Sequence, residues 1–575
     1  MFPSSIVLIT SFLTIIAAAL IGGATARLLK QPMILGYIAG GLLFGTVASS
    51  LINREFVTLI SDAGVTLLLF TLGIEFSFVR LRKVLGVISW AVIVQILLTL
   101  LIFLLLLLLF GLSFLPALFL AASASLSSTA IVVKLLSERG ELETVPGELA
   151  TGWLVLQDLA VVPMMVIVPA VASVVLHPGQ TFVNIITILS LSLLKAGIFL
   201  AVIIYLGRKG LPQLLNLVAA FGSQEIMIIT VVGIVFLNAV LAYAVGLSAP
   251  LGAFIAGLLI AETSQNHAVF AEVRPLRDLF VVVFFVSLGL LLPVGYIVSL
   301  LPWLIFLTAS IIFIKWFLVM GLSRFLGYHR KTAFILALSL TQISEFGFII
   351  GKEGVRIGAL SGSDNALLIA LIFTTIFVTS PLVSQSQAIY YRFYQFLGRF
   401  WPKIFREKAE MLPQKSPEIN NHIIICGYGR VGKYIGRALT MENIPFIVVD
   451  YNQATVRSLR DSGLKVIYGD PADRDILSCA GLSSARALVI AIPDRHTQEL
   501  IIGNTHSLNR RIKIICRTHH EEDQKDLKAL GVTTVIQPEF EAAVSIVNRI
   551  LTDFGVTGED IAGKVSRLKI EHGLG

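Results

Sequence analysis

Thr151–Met165 reads TGWLVLQDLAVVPMM, an apolar, membrane-length run that sets the amide Gln157 beside the carboxylate Asp158 near its middle. An aspartate at a bilayer centre costs roughly 2.5–3.5 kcal/mol on insertion scales, so it is rarely present without a task. Such a carboxylate can hold either a proton or a bare cation, the simplest chemistry by which the two could be exchanged. Neighbouring helical residues point about 100° apart. Gln157 is therefore expected to orient Asp158 or its pathway more than to share one ligand with it.

Other ionisable side chains fall within apolar runs. Lys315, in SIIFIKWFLVM, sits too deep to reach an interface and needs an anion. Asp158 is its first expected partner and Glu345 the rival. Glu345 stands beside Gln342 and Ser344 and is expected to hold a helix break by accepting backbone hydrogen bonds. Lys134 and Lys195 read as helix-end or locally paired lysines, Glu75 as a pair with Arg80, and His267 as a surface residue.

Two stretches of small and polar residues would position these groups: AASASLSSTAIVVKLL (Ala121–Leu136), containing Ser127, Ser128 and Thr129, and LALSLTQISEFGFIIG (Leu336–Gly351). At about 20 residues per span, the chain divides into about thirteen spans. Their centres lie near residues 15, 40, 68, 98, 127, 160, 195, 234, 254, 286, 311, 342 and 376. If spans 2–6 and 9–13 are inverted repeats, both interrupted spans take the fourth place. Paired interruptions at matching positions point to a crossed-helix site at the membrane midplane.

Composition supports this reading. The chain is 56% hydrophobic and 14% charged, with mean hydropathy +0.87. The net charge of +8 does not indicate nucleic acid, because the basic residues gather in loops, including Arg27/Lys30, Arg80/Arg82/Lys83, Arg208/Lys209, Arg274/Arg277 and Arg324/Arg330/Lys331. With an outside N-terminus all of these loops are cytoplasmic. The first span lacks a basic leader and is expected to be retained. Cys426, Cys479 and Cys516 lie beyond the spans with no CxxC spacing, as reduced thiols without a structural metal.

Expected boundaries are a membrane domain at 1–390, a basic aromatic helix and linker on lipid headgroups at 391–420, a nucleotide-binding domain at 421–545 and a tail at 546–575. The third begins HIIICGYGRVGKYIGRALTMENIPFIVVD, in which a strand meets Gly427, Gly429 and Gly432, then a helix, a second strand and Asp450. This is a dinucleotide-type fingerprint, with phosphate at the helix N-terminus and Asp450 on ribose hydroxyls. Tyr428, Arg430 and Val431 lie within the loop. Asp470 and Arg517, in the third and fifth strand-like runs, complete the candidate site. Alternating strands and helices imply a doubly wound parallel sheet. Gly427-Tyr428-Gly429 resembles a potassium-filter core, but it follows a soluble strand and has no pore helices.

Together with LGYIAGGLLFG, LFTLGIEF, LGAFIAGLLIAET, FFVSLGL, QISEFGF and ICGYGRVG, these motifs resemble the cation:proton antiporter-2 family, in particular Kef-type members with a C-terminal RCK (TrkA-N) domain. The resemblance spans nearly the full length. It implies a dimeric bacterial inner-membrane transporter exchanging K⁺ or Na⁺ for H⁺, with a cytoplasmic RCK domain regulated by AMP, ATP or NAD(H). It also implies that Asp158 alternates between proton and cation, and that Lys315 is its charge partner. A single carboxylate in the Gln-Asp pair leans toward electroneutral exchange. The acidic loop of glutathione-gated relatives is missing from NHAVFAEVRPLRD, and a second RCK subdomain is expected to be absent. A nucleotide-gated K⁺ efflux channel is the alternative. A membrane-anchored oxidoreductase would have only His496, His519 and His520 to draw on, in no catalytic motif, and the chain is not expected to be an enzyme.

Overall fold

The computed structural model describes residues 4–29, 31–48, 52–75, 86, 88–142, 144–176, 182–290, 292, 294–400, 419–518 and 523–571. Arg80, the expected partner of Glu75, falls outside them, as do His519, His520 and residues 401–418 of the expected linker. The chain forms two compact units. One comprises residues 1–132, 150–323 and 336–384, the other residues 133–149, 324–335 and 385–575.

Residues 4–384 supply the helices of the first unit, and parts of α6, α7, α13 and α14 belong to the second. These helices begin with α1 Ser4–Leu28, α2 Met33–Val47, α3 Arg54–Glu75, α4 Ser89–Leu109, α5 Phe114–Ser125, α6 Thr129–Glu138, α7 Val145–Leu176 and α8 Phe182–Ala220. They continue with α9 Gln224–Ala244, α10 Ala249–Ala261, α11 Asn266–Leu290, α12 Val294–Ser299, α13 Leu301–Phe325, α14 Arg330–Ser339, α15 Phe346–Arg356 and α16 Gly362–Ser384. Eight helical stretches among the described residues are long and apolar enough to cross a membrane. Each of the thirteen expected centres falls on a helix, except residues 127 and 342, which fall in the α5/α6 and α14/α15 breaks. Helices are the required solution here, since hydrocarbon satisfies no backbone polar group.

Apolar faces such as Ile93, Leu97 and Leu105 of α4 are left exposed, as hydrocarbon-facing positions should be. Between helices, small residues set the spacing. A Cβ on Gly73 of α3 would lie 2.3 Å from the Phe254 carbonyl oxygen of α10, and one on Gly257 of α10 would lie 2.1 Å from that of Phe70. The two backbones are thus in direct contact.

Local chemistry ends the interrupted helices. Ser125 Oγ donates to the Ala122 carbonyl at 2.7 Å and Thr341 Oγ1 to the Leu338 carbonyl at 2.9 Å, offering the backbone an alternative to helical bonding. Leu126 then turns extended, at φ −98° and ψ 154°.

The second unit is built on a parallel sheet. Its elements are α17 Ser386–Phe400, β1 Ile423–Cys426, α18 Arg430–Met441, β2 Phe446–Asp450, α19 Gln453–Asp461, β3 Val466–Tyr468, α20 Arg474–Cys479, β4 Ala487–Ile490, α21 Arg495–Leu508, β5 Lys513–Arg517, α22 Asp523–Ala529, β6 Thr534–Ile536, α23 Pro538–Asp553 and α24 Gly558–Glu571. The strands run in the order β3-β2-β1-β4-β5-β6, all parallel. Apolar runs such as IIIC and ALVI have both faces covered, as parallel sheets require. The order reverses between β1 and β4, and the crevice at the carboxyl ends of these strands is where such sheets take ligands. α23 runs through the expected boundary at residue 545.

Candidate functional site

In the first unit, the two breaks hold each other. The Ser344 N–H donates to the Leu126 carbonyl at 3.2 Å, and Ser127 Oγ donates to the Leu340 carbonyl at 2.8 Å. Gln342 Nε2 reaches the Ser128 carbonyl at 3.4 Å. Lys315, fully buried, donates to the carbonyls of Leu126 and Gln342, each at 2.7 Å. These main-chain partners were not expected from the sequence, which named Asp158 and Glu345. The ammonium is satisfied by main-chain oxygens where α5 and α14 end, and helix C-termini carry partial negative charge.

Asp158, 8% exposed, accepts from Thr129 Oγ1 at 2.8 Å through Oδ2. Thr129 opens α6, so the carboxylate meets the positive end of a half-helix. Gln157 turns away from it. Its Oε1 accepts the Ser127 N–H at 2.9 Å, and its Nε2 donates to Gln95 Oε1 at 2.5 Å. Gln95 also accepts from Trp153 Nε1 at 3.2 Å and donates to the Ser125 carbonyl and Thr99 Oγ1, each at 3.0 Å. Because an indole N–H can only donate, Trp153 fixes which end of the Gln95 amide is oxygen. That in turn sets Gln157, and Gln157 caps the break. Neither Gln95 nor Trp153 was expected; the available signal was a lone amide in the apolar run SWAVIVQILL.

Glu345 precedes α15, with the Ser128 and Ser344 hydroxyls and the Ala130 N–H about its carboxylate. Lys134 and Lys195 are exposed on their helices, and His267 is exposed. Arg274 and Arg277 pair with Asp278 at 4.0 and 2.7 Å.

In the second unit, a cavity of about 630 Å³ lies over the carboxyl ends of β1, β2 and β4. Gly427 takes φ +90°, and a Cβ on Gly432 would lie 2.2 Å from the Gly427 carbonyl oxygen, so the loop folds tightly onto α18. Gly429 caps that helix and faces open space. Arg430, Val431 and Lys433 line the cavity on this side, and Arg517 enters from the end of β5. The Tyr428 ring packs in the core on Gly436. Tyr428 gives its N–H to Asp450 Oδ2 at 2.6 Å, while Asp450 Oδ1 takes the Asn452 N–H at 2.7 Å. Burial pushes the Asp450 carboxyl up, and these two N–H groups oppose the shift.

Asp470 is absent from the lining. It accepts from Tyr391 at 2.8 Å and from the Ala472 N–H at 3.0 Å, and pairs with Lys331 at 3.3 Å. Asp470, expected to bind nucleotide, is thus held in a buried ion pair with Lys331, which itself lines the cavity. Gly432 likewise packs beneath the loop and does not line the space.

Another part of the lining comes from residues 137–142 and 144–148, with Glu141, Thr144 and Glu148, together with Asp494 and Lys331. These were not expected, because a short loop between helices carries no nucleotide motif. Arg139 Nη2 bonds Glu141 Oε1 at 2.7 Å and lies 3.4 Å from Asp494 Oδ1. Asp494 Oδ2 caps α21 through the Thr497 N–H at 2.7 Å. The cavity thus has a basic end, suited to phosphate, and an acidic one.

These two units define a multi-pass secondary transporter of the crossed-break kind carrying a Rossmann-like domain. Residues 15–385 match the transmembrane sodium/hydrogen exchanger family and residues 423–538 the TrkA-N domain. The chain belongs to the sodium/hydrogen exchanger family, in the branch of Kef-type cation/proton antiporters with a TrkA-N domain. It is 28% identical over 560 residues to YbaL of Escherichia coli (strain K12), named provisionally as a cation/proton antiporter, covering 97% of this chain and 99% of YbaL. It is 28% identical to the glutathione-regulated potassium-efflux system protein KefC of Klebsiella pneumoniae subsp. pneumoniae, covering 96% of this chain and 85% of KefC. An AMP-bound Kef C-terminal domain from Shewanella denitrificans is 30% identical, covering 27% of this chain and 93% of that one, with a TM-score of 0.24.

Proposed function

We propose that Asp158 alternately binds a proton and a monovalent cation, K⁺ in preference to Na⁺, in one-for-one exchange. The observation that carries this is the division of roles around the breaks. Lys315 is committed to two carbonyls, and Glu345 is buried at the start of α15 with no cation paired to it among the described residues. Asp158 meets the Thr129 hydroxyl at the start of a half-helix, where a carboxylate can trade a proton for a cation. The K⁺ preference draws on the name of the potassium-efflux relative. The transporter works as a homodimer in the bacterial inner membrane, with the TrkA-N domain in the cytoplasm. An adenine nucleotide (AMP, ATP or NAD(H)) regulates it from the cavity beside α18, its phosphate on Arg430, Lys433 and Arg517 and its ribose on Asp450.

The test is collapse of an imposed pH gradient in vesicles by K⁺ or Na⁺, for wild type and Asp158→Asn. Collapse by K⁺ that is lost in the variant supports the reading. Normal exchange by Asp158→Asn overturns the role given to Asp158, and cation flux without proton movement overturns exchange itself in favour of a nucleotide-gated channel.

A further inference from the structure

The nucleotide cavity contains a buried cluster that fingerprint binding leaves unused. Glu141, 3% exposed, lines it beside Asp494, and a single arginine, Arg139, serves both carboxylates. Two buried acids therefore share the Arg139 guanidinium. The charged groups facing Glu141 are Arg139 beyond the end of α6, Asp494 before α21, and Lys331 on α14. Lys331 is itself drawn toward Asp470, Tyr391 and Thr497. Around the rest of the cavity stand Glu148 of α7, Asp450 with Tyr451 after β2, Arg430 and Lys433 of α18, Arg517 of β5 and Glu539 of α23.

A nucleotide entering this space brings its negative charge into a cavity whose acidic end already holds Glu141, Glu148 and Asp494. The least costly response is for a carboxylate of that end to take up a proton. Resting on the nucleotide reading above, we propose that Glu141 is the proton-linked determinant of this site, so that an anionic nucleotide and a proton on Glu141 bind as a pair. Burial pushes the Glu141 carboxyl up to about 7, with Asp494 adding to the rise and Arg139 opposing it. The proton therefore moves within the physiological range. Binding that favours the protonated form raises this value further, and by linkage affinity falls as pH rises, by at most about tenfold per pH unit for one proton. A site in a proton exchanger then reads nucleotide and pH together.

The test is titration calorimetry of AMP and of NADH against the full-length protein from pH 6.5 to 8.5, in buffers of different ionisation enthalpy to count protons. Wild type should bind more weakly as pH rises and take up a proton near pH 7.5. Glu141→Gln, which is permanently neutral, should bind with little pH dependence and take up no proton. Arg139→Met should move the fall in affinity to higher pH, because the cation that opposes protonation is gone. An unchanged slope and proton count in Glu141→Gln overturns the inference, as does their transfer to Asp450→Asn. Binding by neither nucleotide at any pH overturns the nucleotide reading and this inference with it.

Discussion

Gln157 and Gln95 support the α5/α6 break, and replacing Gln157 by leucine tests how much they contribute. The substitution keeps the bulk and removes two bonds. The buried Ser127 N–H loses its acceptor at 2.9 Å, and Gln95 Oε1 loses its donor at 2.5 Å, keeping only Trp153. An orphaned buried donor costs about 1–3 kcal/mol and a lost bond about 1 kcal/mol, so the break should weaken by about 2–4 kcal/mol. The readouts are thermal unfolding of the purified full-length protein and K⁺-driven collapse of a pH gradient in vesicles. Melting should drop by several degrees, at about 2–4 °C per kcal/mol for a domain of roughly 200 residues. Exchange should slow because Thr129, two residues past Ser127, no longer meets Asp158 in a fixed place. Gln95→Leu should act through the same chain, and the double variant should be less than additive, with a coupling of about 0.5–3 kcal/mol. Wild-type melting in Gln157→Leu, or strict additivity of the pair, refutes the network.

Three further outcomes are expected. Lys315→Met leaves the Gln342 carbonyl without its donor and removes the cation between two helix ends, so both melting temperature and exchange rate should fall; unchanged values in both would show that the ammonium does not hold the crossing. Gly257→Ala places a Cβ 2.1 Å from the Phe70 carbonyl oxygen and should cost about 1–3 kcal/mol, seen as a lower melting temperature and reduced monodisperse yield. Asp470→Asn breaks a buried ion pair at a cost of about 3–5 kcal/mol at pH 7. Burial pushes the Asp470 carboxyl up, but Lys331, the Ala472 N–H and Tyr391 outweigh it and hold it below the usual range. A depressed folded value means the contribution is complete above the unfolded value near ~3.9 and is lost as pH falls through the folded one. The melting gap between wild type and Asp470→Asn should therefore narrow only below about pH 4.

Much of this was legible in the sequence because it depends on residue type. A carboxylate in a greasy run, serines that compete with helical bonding, and glycines between a strand and a helix each carry their physics in the side chain or its absence. Asp158, the two breaks and the Gly427–Gly432 loop were found that way. Lys315 shows the boundary: sequence reading looks for an acid opposite a buried ammonium and does not name the carbonyls of Leu126 and Gln342 that it hydrogen-bonds, because every residue type possesses one. Asp470 sits after a strand, as nucleotide-binding acids do, yet its partner Lys331 lies 139 positions earlier. Glu141 and Gln95 matter through folding that brings distant segments together, which no local pattern records.

That the crossing is made largely of main-chain atoms has an evolutionary consequence. Leu126 contributes an oxygen to Lys315 and to Ser344, and Leu340 contributes one to Ser127; no substitution at either leucine deletes these atoms. What can be deleted is a donor: proline at Ser127 or Ser344 would abolish the N–H that Gln157 or Leu126 requires. Lineages could thus drift through many apolar side chains at the two helix breaks while their polar scaffold stayed constant. A saturation library should record that as tolerance at Leu126 and Leu340 beside sharp intolerance of proline at the two serines.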